Sequence, residues 1–140
     1  METSIYPCLW MDENLKEAAQ FYCNIFKNAQ IISENPMVIV LQINGAPLML
    51  LNGGPQFPFT EAISLVVPCH TQKEIDAYWD LLGKDGSTGK CGWLKDKYGL
   101  SWQIIPANLN SLLNNASKAT QVVYELMQME KINLKKLEEA

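Results

Sequence analysis

Few side chains in this chain carry chemistry of their own, and several of them fall in the stretch Cys91-Gly92-Trp93-Leu94-Lys95-Asp96-Lys97-Tyr98-Gly99-Leu100-Ser101-Trp102-Gln103. Two turn-like sites here lead into an aromatic strand that ends in an amide. Cys91 lies near Gly89 and Gly92 with Lys90 beside it, a setting that favours access and thiolate formation. Nucleophilic use would still need a base, and no sequence neighbour supplies one. His70, the only histidine, is of the residue type that carries protons near neutrality, but its place between Cys69 and Thr71 favours exposure or local capping over a site role. Asp96 suits shaping the turn before Gly99. Strand alternation points Gln103 away from Trp102, and a buried amide requires partners that a ligand or ordered water can supply. No catalytic set emerges. The chemistry indicated is non-covalent: Trp10, Phe57, Phe59, Trp93, Tyr98 and Trp102 offer ring surface to a planar or hydrophobic molecule, with Gln56 and Gln103 as orienting amides. Packing of the sheets would use the same rings, so both readings stand at this point.

The elements that must position these residues follow from periodicity. Ile5 to Met11 reads as a strand, with Pro7 at an edge or irregularity. A helix follows from Asn14 to about Lys27, Glu17 serving as capping-box partner and Leu15, Ala18, Ala19, Tyr22, Ile25 and Phe26 forming its apolar stripe. Ala29 to Ser33, Met37 to Ile43 and Pro47 to Leu51 are extended, with Asn44-Gly45 as a hairpin turn and Asn52-Gly53-Gly54-Pro55 as a junction. The pattern restarts at Ala62 to Val67. Thr71 and Glu74 form a capping box, Ile75, Tyr78, Trp79 and Leu82 a helical stripe, and Gly83 a stop. Gly92 to Lys95 and Leu100 to Pro106 supply strands, one of the second set being short or distorted. A shift of 57 residues superposes Ile5 on Ala62, Glu17 on Glu74 and Tyr22 on Trp79, a weak repeat by identity and a better one by element order. From Leu109 the apolar positions Leu112, Leu113, Ala116, Ala119, Val123, Leu126 and Met127 predict one broken helix or two, crossing their own sheet or docking on another subunit.

Composition bounds the partners. The 140 residues suffice for one packed core or two small halves sharing one. Eleven basic against fifteen acidic residues give a net charge of −4 without a basic stripe, which argues against nucleic acid as a partner. Apolar runs are strand-sized, and the first residues lack a basic segment followed by an apolar core, so neither a membrane partner nor a signal segment is expected. Cysteines 8, 23, 69 and 91 have no paired spacing, and the expected location is cytoplasmic.

Three ordered motifs add a resemblance. Pro7-Cys8-Leu9-Trp10-Met11-Asp12 with Glu17-Ala18 and Phe21-Tyr22, then Gly53-Gly54-Pro55-Gln56-Phe57 with Phe59-Thr60-Glu61-Ala62-Ile63-Ser64, then Cys91 to Asp96 with Tyr98-Gly99 and Ser101-Trp102-Gln103, resemble the PhnB-like family. That family, also labelled 3-demethylubiquinone methyltransferase-like, belongs to the vicinal oxygen chelate (glyoxalase and bleomycin-resistance) superfamily. The resemblance covers residues 4 to 107. It implies an α+β fold of two βαβββ modules forming strongly curved mixed sheets around a cavity, often completed in a homodimer. Superfamily metal ligands would map near Ile5, Met49, Ala62 and Gln103. Of these only Gln103 carries a conventional oxygen donor, and the neighbouring positions Tyr6, Ser64 and Leu50 add no histidine or carboxylate. A nucleotide-dependent methyltransferase would call for a different sheet order, and Gly53-Gly54-Pro55 is a poor anion cradle because proline removes a donor and no helix follows.

The expectation is therefore a PhnB-like domain over 1–107, with modules of about 1–55 and 56–107, and a C-terminal helical extension over 108–140. It would be a homodimer that binds a small apolar or aromatic molecule with no metal and no cofactor, through Trp10, Phe57, Trp93, Trp102 and Gln103. One alternative is an enzyme with an altered site that uses Glu61, His70 or Cys91. The other is an interaction or scaffold protein assembled through its tail.

Overall fold

The computed structural model describes residues 4–140, which form two compact units divided between Phe59 and Thr60. In the first unit the order is β1 (Cys8–Met11), α1 (Leu15–Ile25), β2 (Ala29–Glu34), β3 (Val38–Ile43) and β4 (Ala46–Asn52). The strands make a four-stranded sheet in the order β1-β4-β3-β2, parallel between β1 and β4 and antiparallel elsewhere. Strand β1 starts at Cys8, three residues after the expected Ile5, although the Pro7 carbonyl still accepts from Met49 N–H at 3.0 Å. Asn44 and Gly45 both have positive φ, as a two-residue hairpin turn between antiparallel strands demands. One face of the sheet buries Leu9, Met11, Ile39, Leu41, Leu48 and Leu50. Helix α1 lies against β2, β3 and β4, and buries Leu15, Ala18, Ala19 and Tyr22, the two alanines permitting close approach. Asn14, however, does not cap the helix with its side chain. It sits at φ 66°, in the left-handed region, so the capping box expected with Glu17 does not form.

The second unit repeats the plan with β5 (Ser64–Cys69), α2 (Gln72–Gly83), β6 (Ser87–Thr88), β7 (Trp93–Lys95) and β8 (Ser101–Pro106), in the sheet order β5-β8-β7-β6. Here the capping box is real: Thr71 Oγ1 accepts from Glu74 N–H at 3.1 Å, and Glu74 Oε1 accepts from Thr71 N–H at 3.3 Å. Helix α2 buries Ile75, Trp79 and Leu82 and contacts β5, β7 and β8. The strands turn Val67, Cys69, Leu94, Trp102 and Ile104 to their buried side. Strand β7, of three residues, is short as the sequence anticipates for one strand here, whereas the two-residue β6 falls in the stretch expected to be a loop.

The expected strong curvature is not there. Neither sheet is strongly curled, so the description as curved sheets surrounding a cavity is corrected to two open, four-stranded mixed sheets. A sheet coils tightly through bulges and long staggered pairings. The first sheet has one register irregularity, at Ile31/Ser33 on its edge, and the second pairs β6 with β7 over only two residue positions.

The tail forms α3 (Leu109–Asn114), α4 (Ala119–Met127) and α5 (Leu134–Glu138), and it docks on its own unit. Val122, Met129, Ile132 and Leu137 make a buried cluster, packed by Ile105, Leu109, Leu112, Leu113 and Leu126. The backbone N–H groups of Cys91 and Gly92 donate to the carbonyls of Met129 and Glu130, each at 2.8 Å. The expected stripe through Val123 and Met127 is out of phase, since both are exposed while Val122 is buried. The chain breaks at residues 115–118, so α4 starts its own helical phase. No helix among the described residues is long and apolar enough to cross a membrane.

Candidate functional site

The site is legible from the register of the second sheet. Ser64 pairs with Ser101, Val66 and Trp93 both pair with Gln103, and Lys95 pairs with Ser101. Directly paired residues share a face, and residues alternate along each strand. One face therefore carries Ser64, Val66, Trp93, Lys95, Ser101 and Gln103. The opposite face carries Val67, Leu94, Trp102 and Ile104, which are buried on the α2 side.

Trp93, Lys95 and Ser101, with Glu61, Ser87, Thr88, Gly89 and Leu94, line an open groove of about 160 Å³. Gly86 lets the loop approach β7, because a Cβ there would fall 2.0 Å from the Lys95 carbonyl oxygen. Lys95 Nζ lies 3.2 Å from Glu61 Oε1, and this hydrogen bond, with the ammonium charge, holds the Glu61 carboxyl below the usual range. Ser101, only 1% exposed, has an Oγ with no hydrogen-bond partner among the described residues. Gln103 Nε2 donates to Ser64 Oγ at 2.9 Å.

The residues expected to contact a ligand divide into three settings. Trp93 and Gln103 are directly paired on the face that also carries Lys95 and Ser101. Trp102 is on the other face, 3% exposed, and its Nε1–H donates to Asp96 Oδ2 at 2.9 Å. Asp96 also accepts from the N–H groups of Tyr98 and Leu100 through Oδ1, so the turn it shapes also fixes the indole. Trp10 and Phe57 meet within the first unit, with ring centroids 4.9 Å apart in an edge-on contact, and Phe57 is 61% exposed. The glycine loop seats Trp10: its Nε1–H donates to the Gly54 carbonyl at 2.9 Å, and a Cβ on Gly53 would overlap the indole.

The residues of the enzyme alternative go to separate neighbourhoods. Glu61 is in the groove. His70 is exposed in a recess with Cys69, Asn108 and Glu138, and Cys91 Sγ lies 3.9 Å from Met127 Sδ. Burial, followed by the Glu74 charge, raises the Cys69 thiol to about 11.

The superfamily's metal does not fit these residues. Ile5 and Ala62 precede the strands, and the hydroxyl of Ser64 is hydrogen-bonded to the Gln103 amide. A neutral amide and hydroxyl lack the charge that a hard divalent ion demands of its oxygen ligands. Among the described residues no group of three or more His, Cys, Asp or Glu side chains is placed to hold a metal ion. Lys95, Ser101 and Ser64 were not among the expected contacts. Counting back by two from Gln103 and forward by two from Trp93 would have put Ser101 and Lys95 on the same face as those residues.

Comparison with known proteins agrees with the fold. The family model described as 3-demethylubiquinone-9 3-methyltransferase matches residues 3–105. A PhnB protein from Bacillus cereus is 29% identical over 74% of this chain and 99% of its own, with a TM-score of 0.67. Protein PA1353 from Pseudomonas aeruginosa is 18% identical over 75% of this chain and 98% of its own, with a TM-score of 0.62. The fosfomycin resistance protein FosX from Listeria monocytogenes, solved with Mn(II) and sulfate, is 15% identical over 83% of this chain and 98% of its own, with a TM-score of 0.64. These last two likenesses show the fold alone. No curated protein matches the chain.

Proposed function

Since the chain belongs to the 3-demethylubiquinone-9 3-methyltransferase (PhnB-like) family of the vicinal oxygen chelate superfamily, we propose that it binds a small apolar or aromatic molecule without a metal. The observation that carries this reading is the face of the second sheet opposite Trp102, where a half-buried Trp93 ring is paired with the Gln103 amide beside an open groove. The ring supplies contact area, and the amide, held by Ser64, orients a polar group. Trp102 supports the site from behind, with Asp96 locking it in place. Trp10 and Phe57 offer the first unit's own ring surface to such a ligand. Methyl transfer is not part of the proposal, because Trp10 occupies the glycine loop that would have to cradle a cofactor.

The protein acts as a cytoplasmic homodimer in this reading. Four unpaired cysteines suit a reducing compartment, and the exposed Tyr124 and Met127 of α4 suit a partner surface. The test is a thermal-shift screen of small aromatic and apolar metabolites, with sedimentation to give the mass. At least one compound is expected to raise the Tm of the wild type and to lose that effect in Trp93→Ala. A panel without effect on the wild type, equal shifts in the variant, or stoichiometric binding of a divalent cation would overturn it.

A further inference from the structure

The groove on the second sheet contains two features that aromatic binding alone leaves unexplained. Ser101 is buried on the strand-paired row beneath Lys95, and its hydroxyl, a donor and acceptor, has no partner among the described residues. Buried hydroxyls in folded proteins are nearly always hydrogen-bonded, and one that is not marks a place where a partner is expected to arrive. Above it, the Lys95 ammonium is occupied by a carboxylate, that of Glu61, from the turn before β5.

We infer that the groove recognises its ligand through a single carboxylate, which takes the place of Glu61 on Lys95 and accepts the Ser101 hydroxyl proton in a hydrogen bond, while the ligand's ring lies against Trp93. This rests on the small-molecule reading given above and names the class of molecule. An anion is favoured over a cation by which partner can leave. Lys95 is held in β7, whereas Glu61 lies outside any strand, with its side chain 65% exposed against 41% for Lys95. An exposed ion pair of this kind is weak enough to exchange. Thr88, which also lines the groove, has its hydroxyl committed to Glu130 Oε1 at 3.3 Å, which leaves Lys95 and Ser101 to meet a carboxylate. The groove is open, with a volume of about 160 Å³, and a one-ring aromatic acid with a single carboxylate matches its one ammonium and one unpartnered hydroxyl.

The test uses the full-length 15N-labelled protein titrated with benzoate, its neutral isostere benzamide and the cation benzamidine, following the Trp93 indole N–H signal. Benzoate is expected to bind at least about threefold more tightly than benzamide, as loss of an exposed charge pair implies. Glu61→Gln, which removes the internal competitor, should tighten benzoate by roughly the same factor and leave benzamide unchanged. Lys95→Met should abolish the preference, and Ser101→Ala should weaken benzoate while the amide spectrum reports an intact fold. If benzamide or benzamidine shifts Trp93 as strongly as benzoate, or Glu61→Gln leaves benzoate binding unaltered, the carboxylate assignment is overturned while ring binding at Trp93 stands. If none of the three moves the Trp93 signal, the assignment and the reading beneath it both fail.

Discussion

At the scale of single residues, Asp96 shows how a side chain read as a turn former can also organise a site. Its carboxylate is 2% exposed and collects three donors, the N–H groups of Tyr98 and Leu100 and the Trp102 indole. Removing it leaves buried donors unsatisfied. Asp96→Ala should cost about 2–4 kcal/mol in urea denaturation, given about 1–3 kcal/mol for each stranded buried group and incomplete additivity. Asp96→Asn should fall between, since an amide can keep one acceptor but turns a donor toward one of the three. A loss below about 0.5 kcal/mol for the alanine variant would mean that solvent reaches the turn. The sequence placed Asp96 in the turn correctly. The pairing with Trp102, six residues on, depends on a strand bringing the indole back over the turn, which local propensity does not describe.

At the scale of elements, the two helices of the βαβββ plan contrast. Thr71-x-x-Glu74 was legible because a capping box is a local interaction between residues three apart, and the structure forms it. Asn14 with Glu17 has the same spacing and fails, because the chain enters α1 through a left-handed residue. The tail shows the same division. Helices were expected from its apolar content, but which residues face inward was decided by contacts distant in sequence. Gln72 is the latch: its Nε2 donates to the Ile132 carbonyl at 2.9 Å and its Oε1 accepts from Leu134 N–H at 2.8 Å. Asp76 and Lys131, 3.0 Å apart, add an exposed pair beside it. Gln72→Ala should destabilise the second unit by about 1–3 kcal/mol, and hydrogen exchange should quicken most at Leu134. Unchanged protection at Leu134 would show that the apolar cluster holds the tail without the latch.

At the scale of the whole molecule, a buried thiol links stability to alkaline pH. Cys69 is raised to about 11 by burial first and the Glu74 charge second, and Tyr78 is raised by burial, Cys69 and Glu74. The folded protein holds these protons more tightly than the unfolded chain does. The Cys69 contribution is therefore complete below the ordinary thiol value of 9.0 and is lost as pH rises through about 11, and Tyr78 acts in the same direction. The denaturation midpoint should fall between those values, and less steeply in Cys69→Ala. A wild-type midpoint that is flat across the interval would contradict this.

The residues alone determined the βαβββ order of the first half, the strand and capped helix that open the second, the hairpin at Asn44-Gly45 and the family, because each depends on periodicity, turn chemistry or motif spacing within a short stretch, whereas the two-residue β6 and the third tail helix were not read from it. Tertiary structure alone decided that the sheets are open rather than strongly curled and that the tail covers its own unit. It also decided that Trp102 is sealed on one face while Trp93, Lys95, Ser101 and Gln103 share the other. Those outcomes depend on strand register and on which layer packs against which, and these are set by contacts between residues far apart in the chain.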